Sequence, residues 1–203
     1  MKEIWNKRYS DENYVYGVEP NNFFREQLLK LTPGKILLPA EGEGRNAVFA
    51  AKNGWQVEAF DISEIAGEKA MNLAKDNNVI INYSIGELSS LAYLQGSFDA
   101  VGLIFAHVTA KLRSENHKKM ITLLKKGGVV IIEGFSTKHI GFQKQNPGVG
   151  GPKDLDFLYT KEEIAADFSG FEVLLLEEKV IELNEGLYHI GTGSVIRFVG
   201  RKT

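Results

Sequence analysis

The chain of 203 residues contains no cysteine. That excludes disulfide staples, thiolate metal sites and a thiol nucleophile together. Long apolar runs are also missing, since none approaches the ~20 residues that a bilayer span needs. The opening Met1 to Arg8 carries no apolar signal-peptide stretch, so the expected location is the cytoplasm, with no membrane partner. Charge of one sign is lacking too: 24 Lys and Arg against 26 Asp and Glu leave a formal charge of −2. Without a basic stripe, nucleic acid is not an expected partner. His117 and His139 have no neighbours at ligand spacing, so no metal site is expected. The chemistry is left to oxygen and nitrogen side chains or to a cofactor. The length fits a single domain spanning residues 1–203, as monomer or homodimer.

What is present is an alternation of strands and helices. Behind Asn21, a plausible cap, Phe24, Leu28 and Leu31 form a helical stripe that Pro33-Gly34 stops. Residues 35–40 read as a buried strand, a glycine-rich turn follows, and Asn46 to Asn53 reads as a helix closed by Gly54. Gln56 to Asp61 is a second strand, and Ser63 caps a helix whose Ala66, Ala70, Leu73 and Ala74 share one face. Strands near 79–85, 98–105 and 129–132, with a helix around 114–126, continue the series. Such alternation predicts an α/β fold, a doubly wound and mostly parallel sheet covered on both faces.

The ending departs from this. Thr160 and Glu163 make a capping-box pair with a Tyr159/Ile164 staple. Two long apolar strands follow, 171–183 and about 193–200, with no helix between them, and should form an antiparallel C-terminal hairpin. Residues 136–158 contain glycine and proline without periodicity, and a loop of that length is a candidate lid.

In open α/β sheets ligands bind at the carboxyl ends of strands beside the first one. There this chain has Ala40-Glu41-Gly42-Glu43-Gly44-Arg45-Asn46. Gly42 and Gly44 allow close backbone approach, and the helix that follows offers unpaired N–H groups. Asp61 closes the second strand, where an acidic side chain accepts two ribose hydroxyls. Together they imply an adenosine-type cofactor. Ala47 stands where a dinucleotide fingerprint has its third glycine, and no phosphate-loop Gly-Lys-Ser/Thr occurs. A nicotinamide-dependent oxidoreductase is therefore the weaker enzyme reading. A module that binds such a cofactor without reacting it is the non-enzymatic alternative.

Across nearly its whole length the chain resembles the class I S-adenosylmethionine-dependent methyltransferases, in particular their tellurite-resistance (TehB-like) and thiopurine methyltransferase-like branch. Trp5-Asn6-Lys7-Arg8-Tyr9 and Tyr14 to Asn21 are similar to that branch's opening segment, so residues 1–32 would lie over the cofactor. Gly42 to Ala47 resembles its glycine motif, Asp61-Ile62-Ser63 its ribose motif and Gly86-Glu87-Leu88 the segment meeting the adenine. The resemblance implies a seven-stranded Rossmann-like sheet of order 3-2-1-4-5-7-6. It also implies a cofactor site of Tyr9, Tyr16, Ala40, Glu41, Gly42, Gly44, Arg45, Asn46, Asp61, Ile62, Gly86, Glu87, Leu88 and Phe105, with S-adenosylmethionine as cofactor and a small-molecule methyl acceptor, a thiol or a tellurite-like or selenite-like oxyanion. With the resemblance, the non-enzymatic alternative becomes a module that holds S-adenosylmethionine without transferring its methyl group. The family's first strand usually carries an acidic residue and a glycine where this chain has Leu38 and Ala40, with Glu41 at a commonly small position. The Asp/Asn-Pro-Pro-Tyr motif of amino-methylating nucleic-acid enzymes is replaced by Ile104-Phe105-Ala106-His107. His107, just past the fourth strand, is the candidate general base. Arg8 and Arg45 are candidates to meet the cofactor carboxylate, and His189 and Arg197 are strand-face residues near the acceptor side.

Overall fold

The computed structural model describes all 203 residues. Helices α1 (Lys2–Tyr9) and α2 (Asn22–Leu28) precede β1 (Lys35–Pro39), α3 (Arg45–Lys52), β2 (Gln56–Asp61), α4 (Glu64–Asp76) and β3 (Asn82–Ile85). Then come β4 (Phe98–Ile104), α5 (Ala110–Leu123), β5 (Leu124–Phe135), α6 (His139–Gln145), α7 (Lys161–Asp167), β6 (Phe171–Glu185) and β7 (His189–Lys202). The sheet order is β3-β2-β1-β4-β5-β7-β6. β1 to β5 run parallel, and β7 lies antiparallel between β5 and β6.

The pattern follows from burial. β1 buries Ile36, Leu37 and Leu38 completely, as a strand covered on both faces must. One face packs Phe24, Leu28, Ala47, Ala50, Ala70 and Leu73 of α2, α3 and α4. The other packs Met120 and Leu123 of α5, Ile164 of α7, and Phe168, which closes α7. The expected caps form: Asn21 accepts from Phe24 N–H, Ser63 from Ala66 N–H, and Thr160 with Glu163 makes the reciprocal capping box.

Five places differ from the sequence pattern, each for a tertiary reason. Residues 2–9 form a helix without apolar periodicity, docked through Lys2 and Asn6 to Glu64 and through Asn6 Oδ1 to Ser63 Oγ at 2.6 Å. α5 begins at Ala110 rather than Ser114, because Asp156 accepts from Ala110 N–H and Arg113 binds the carbonyls of Val108 and Leu158. β5 begins at Leu124 rather than Val129: Leu124 pairs with Phe98, and a register shift bulges out the following residues before Ala100 meets Val129. Residues 136–158 hold α6 and two short 3-10 turns. His139 stacks on Phe135 at 3.8 Å, and Gln143 Nε2 donates to the carbonyls of Gly150, Gly151 and Pro152, so this segment is packed onto the sheet end.

The terminal hairpin is longer than its apolar pattern. Its ladder runs to the pair Glu185↔His189. Gly186, at φ +62°, turns against the N-terminal segment, where a Cβ would lie 2.3 Å from Val15 O, and Leu187 N–H donates to Val15 O at 2.8 Å. The hairpin tip is thereby carried over the carboxyl end of β1.

Candidate active site

The strand order reverses beside β1, whose neighbours are β2 and β4, and the crevice at that switch point is where α/β sheets bind ligands. A cavity of about 500 Å³ opens there. All the residues expected at the cofactor site line it except Gly44, and so does His107. Gly44 stands behind the wall: a Cβ there would meet Ala70 Cα at 2.9 Å, so glycine is what lets α3 pack on α4.

The turn after β1 is built from left-handed residues, Ala40 (φ 51°), Gly42 (φ 63°) and Gly44 (φ 87°). Ala40 carries a steric cost that a glycine would avoid. A Cβ on Gly42 would lie 2.8 Å from Tyr9 Oη. Asp61 accepts from Gly42 N–H at 3.1 Å through one oxygen and from Ser63 N–H at 3.0 Å through the other. Tyr83 Oη donates to Gly42 O at 2.6 Å from the next strand. Burial raises the Asp61 carboxyl, and the backbone N–H groups of Ser63 and Gly42 oppose that rise.

S-adenosylmethionine fits this donor set. Asp61 uses one lone pair of each oxygen on the backbone and keeps the others for a vicinal diol. Ile62, Gly86, Glu87 and Leu88 continue the wall from Asp61. Opposite them stand Tyr9, stacked on Trp5 at 5.5 Å, and Tyr16. Aromatic faces suit a sulfonium charge.

The family's acidic position is absent from β1, where Leu38 is fully buried. An acid instead lines the cavity at Glu41, whose Oε1 accepts from Ala47 N–H at 2.7 Å and so caps the start of α3. Burial pushes the Glu41 carboxyl up to about 7. Arg45 is already engaged: it donates to Glu185 Oε2 at 2.9 Å and to Tyr16 O at 3.3 Å. Arg8 donates to Tyr16 Oη at 2.9 Å and lies over the rings of Trp5 and Tyr188. Asn46 Oδ1 receives Asn21 N–H at 3.0 Å. Arg197 is turned from the acceptor side, over the Phe23 ring and onto buried Glu133 at 2.5 Å.

His107 has the surroundings of a fixed post rather than of a base. Nδ1 is 2.8 Å from Phe157 O, which can only accept, so Nδ1 carries the proton; Nε2 accepts from Phe135 N–H at 3.3 Å. Both ring nitrogens are thus occupied by backbone. Burial lowers its pKa to about 3, so it stays neutral. The residue joins the end of β4 to β5 and to the 136–158 segment.

Behind the wall of the cavity stands Glu185, a largely buried acid that sequence patterning passes over. Its Oε1 accepts from Asn21 Nδ2 at 2.9 Å, and its Oε2 receives Arg45 at 2.9 Å and His189 Nδ1 at 3.0 Å. Burial opposes its ionisation, but Arg45 and His189 hold the carboxyl at about 2. The signal available in the chain is an acid and a histidine four residues apart across Gly186.

Residues 36–128 match the protein family described as Methyltransferase domain. None of the curated proteins matches the chain in sequence. Among solved structures, a methyltransferase from Methanosarcina mazei is 17% identical with a TM-score of 0.72, over 91% of this chain and 98% of that one. TehB from Haemophilus influenzae is 18% identical with a TM-score of 0.72, over 100% of this chain and 67% of that one. Magnesium protoporphyrin IX methyltransferase from Synechocystis, solved with bound S-adenosylhomocysteine, is 15% identical with a TM-score of 0.71, over 100% of this chain and 98% of that one. At these identities the structural likeness is one of fold. The cofactor half, by contrast, is matched by family, and its residues 36–128 carry the glycine turn, Asp61 and the Gly86-Glu87-Leu88 wall in one cavity. Residues 36–128 thus carry a methyltransferase domain, set in the seven-stranded fold of the S-adenosylmethionine-dependent methyltransferases.

Proposed function

We propose that the acceptor is a small molecule bearing a soft nucleophile, a thiol before a chalcogen oxyanion. The observation that carries this is the wall of the cavity. Trp5, Phe105, Phe135 and Phe157 line it, while the three arginines that could greet an oxyanion, Arg8, Arg45 and Arg113, are engaged with Tyr16, Glu185 and Glu163. Asp61 and the glycine turn would hold S-adenosylmethionine, which when bound would supply a methyl group activated on a sulfonium for displacement by the acceptor's lone pair, the carbon–sulfur pair returning to sulfur. The chain's share is to hold the ribose through Asp61, set the turn through Tyr83 and Gly42, and keep water from the reacting centre with the aromatic arm. A thiol suits such a site because it needs little activation once ionised.

Calorimetric titration with S-adenosylhomocysteine, with NADH as control, tests the cofactor half of this reading. Assay of S-adenosylhomocysteine release with thiols, selenite and tellurite tests the acceptor half. Binding of the first ligand alone and turnover of a thiol are expected. Turnover of the oxyanions alone would reverse the order of acceptors, and binding without any turnover would leave a binding module. Asp61→Ala should weaken S-adenosylhomocysteine roughly 10- to 100-fold, since it removes hydrogen bonds to a charged acceptor of about 1.5–3 kcal/mol in total or more. Unchanged affinity would place the ribose elsewhere.

A further inference from the structure

His189 opens β7 at the hairpin tip, its ring 4.6 Å from Tyr16 and 4.6 Å from Phe105, the residue that follows β4. It therefore borders the switch-point cavity. Nδ1 lies 3.0 Å from Glu185 Oε2. A carboxylate held ionised by Arg45 can only accept, so Nδ1 carries the proton and Nε2 carries the lone pair. Although the residue is only 4% exposed, its Nε2 keeps some accessible surface and has no hydrogen-bond partner in the protein, and the residue lines the cavity. Of the other histidines, His107 and His139 have both ring nitrogens bonded to backbone groups. His117 also pairs with a carboxylate, Asp167 at 2.7 Å, and touches the same cavity, but it packs on Phe168 between α5 and α7, whereas His189 stands against Tyr16 and Phe105 beside the glycine turn.

We propose that Glu185 and His189 form a carboxylate–histidine dyad in which Nε2 of His189 removes the proton of the acceptor, making His189 a catalytic residue and Glu185 its positioning residue. The inference rests on the reading of the site as a small-molecule methyl-transfer site, and it narrows the acceptor to a thiol that enters protonated. As the acceptor sulfur forms its bond to the methyl carbon, its S–H pair stays on sulfur and the proton passes to Nε2. The resulting imidazolium is stabilised across Nδ1–H by Glu185, and the proton leaves to water when the product departs. The charged and titratable groups facing His189 are Tyr16 before α2, Glu185 on β6, Arg45 on α3, Arg8 on α1, His107 after β4 and His139 on α6. Burial lowers its pKa while Glu185 opposes the shift, so the ring enters the reaction neutral at pH 7.

Two measurements test the dyad. Nitrogen-15 spectra of the protein with bound S-adenosylhomocysteine should show His189 as the Nδ1–H tautomer with a free Nε2; the opposite tautomer overturns the proposal. Methyl transfer is then measured to cyclohexanethiol, protonated at neutral pH, and to 4-nitrothiophenol, already a thiolate. His189→Gln should lose about 10²-fold or more on the first, the usual contribution of a general base, and less than about threefold on the second, with S-adenosylhomocysteine affinity unchanged. Equal losses on both thiols overturn the dyad, as does a wild-type protein that binds S-adenosylhomocysteine and turns over neither. Absence of S-adenosylhomocysteine binding is a different failure, that of the cofactor reading on which the dyad stands.

Discussion

Glu185→Ala is expected to lower the thermal midpoint at pH 7 by roughly 6–20 °C, corresponding to about 3–5 kcal/mol for breaking a buried ion pair by removing one partner. The cost arises from what is left behind. Arg45 keeps its charge with a side chain only 10% exposed and loses the carboxylate opposite it. Asn21 loses one of two acceptors and retains Glu133. The docking of the hairpin tip then rests on the Leu187 N–H bond to Val15 O and on the contacts of Tyr188 and His189 with Arg8 and Tyr16. pH gives a second check. Because the folded-state carboxyl is held at about 2 against an ordinary 4.5, its stabilisation is complete above pH 4.5 and fades as pH falls towards 2. The gap between wild type and variant should narrow over that window. A gap of less than about 1 kcal/mol at pH 7, by thermal or denaturant unfolding, would show that Arg45 finds water or another partner.

Glu41→Gln should act in the opposite direction. Its carboxyl is raised to about 7 by burial, so the folded state binds this proton more readily than the unfolded chain. The contribution is therefore fully present below pH 4.5 and lost as pH rises through about 7. A shift of that size is worth about 3 kcal/mol, discounted to about 2 kcal/mol because the side chain borders a water-accessible cavity. The amide still accepts from Ala47 N–H, the bond that caps α3, and carries no ionisation cost. The variant's midpoint should match wild type at pH 4.5 and exceed it by roughly 4–8 °C at pH 8. Equal midpoints at both pH values would mean that the carboxylate is well solvated in the cavity. The neighbouring charges are Arg45, which lowers the Glu41 carboxyl, and Tyr83, which Glu41 itself raises.

Both predictions concern residues that strand-and-helix patterning treats as unremarkable polar positions. Much else is legible in the chain alone. Local signals survive translation into space: Asn21, Ser63 and Thr160 cap helices because a short side-chain oxygen beside free N–H groups has few alternatives. The parallel direction of the strands follows from alternation and their order from the family resemblance, and the glycine turn comes to stand beside Asp61 because β1 and β2 are hydrogen-bonded neighbours. By contrast, α1 lacks an apolar stripe and exists through its contacts with Ser63 and Glu64. The early start of β5 is a bulge that only the partner strand imposes.

The base illustrates the division most directly. From position alone His107 is the natural candidate, just beyond the end of β4. Its burial and the backbone groups of Phe157 and Phe135 that occupy both its nitrogens are contributions of segments 28 and 50 residues away. Glu185 and His189 are four residues apart in sequence, yet what orients them is Arg45 on α3 and Asn21 before α2, 140 and 164 residues from Glu185. The sequence by itself determined the class of fold and the meeting of the glycine turn with Asp61 at the switch-point end of the sheet, because those rest on periodicity, turn chemistry and neighbours in one β-turn-α unit. Only the tertiary structure decided which histidine keeps a lone pair, which acid is held ionised and which arginines are already engaged, because burial and hydrogen-bond satisfaction are set by groups that meet only once the chain has folded.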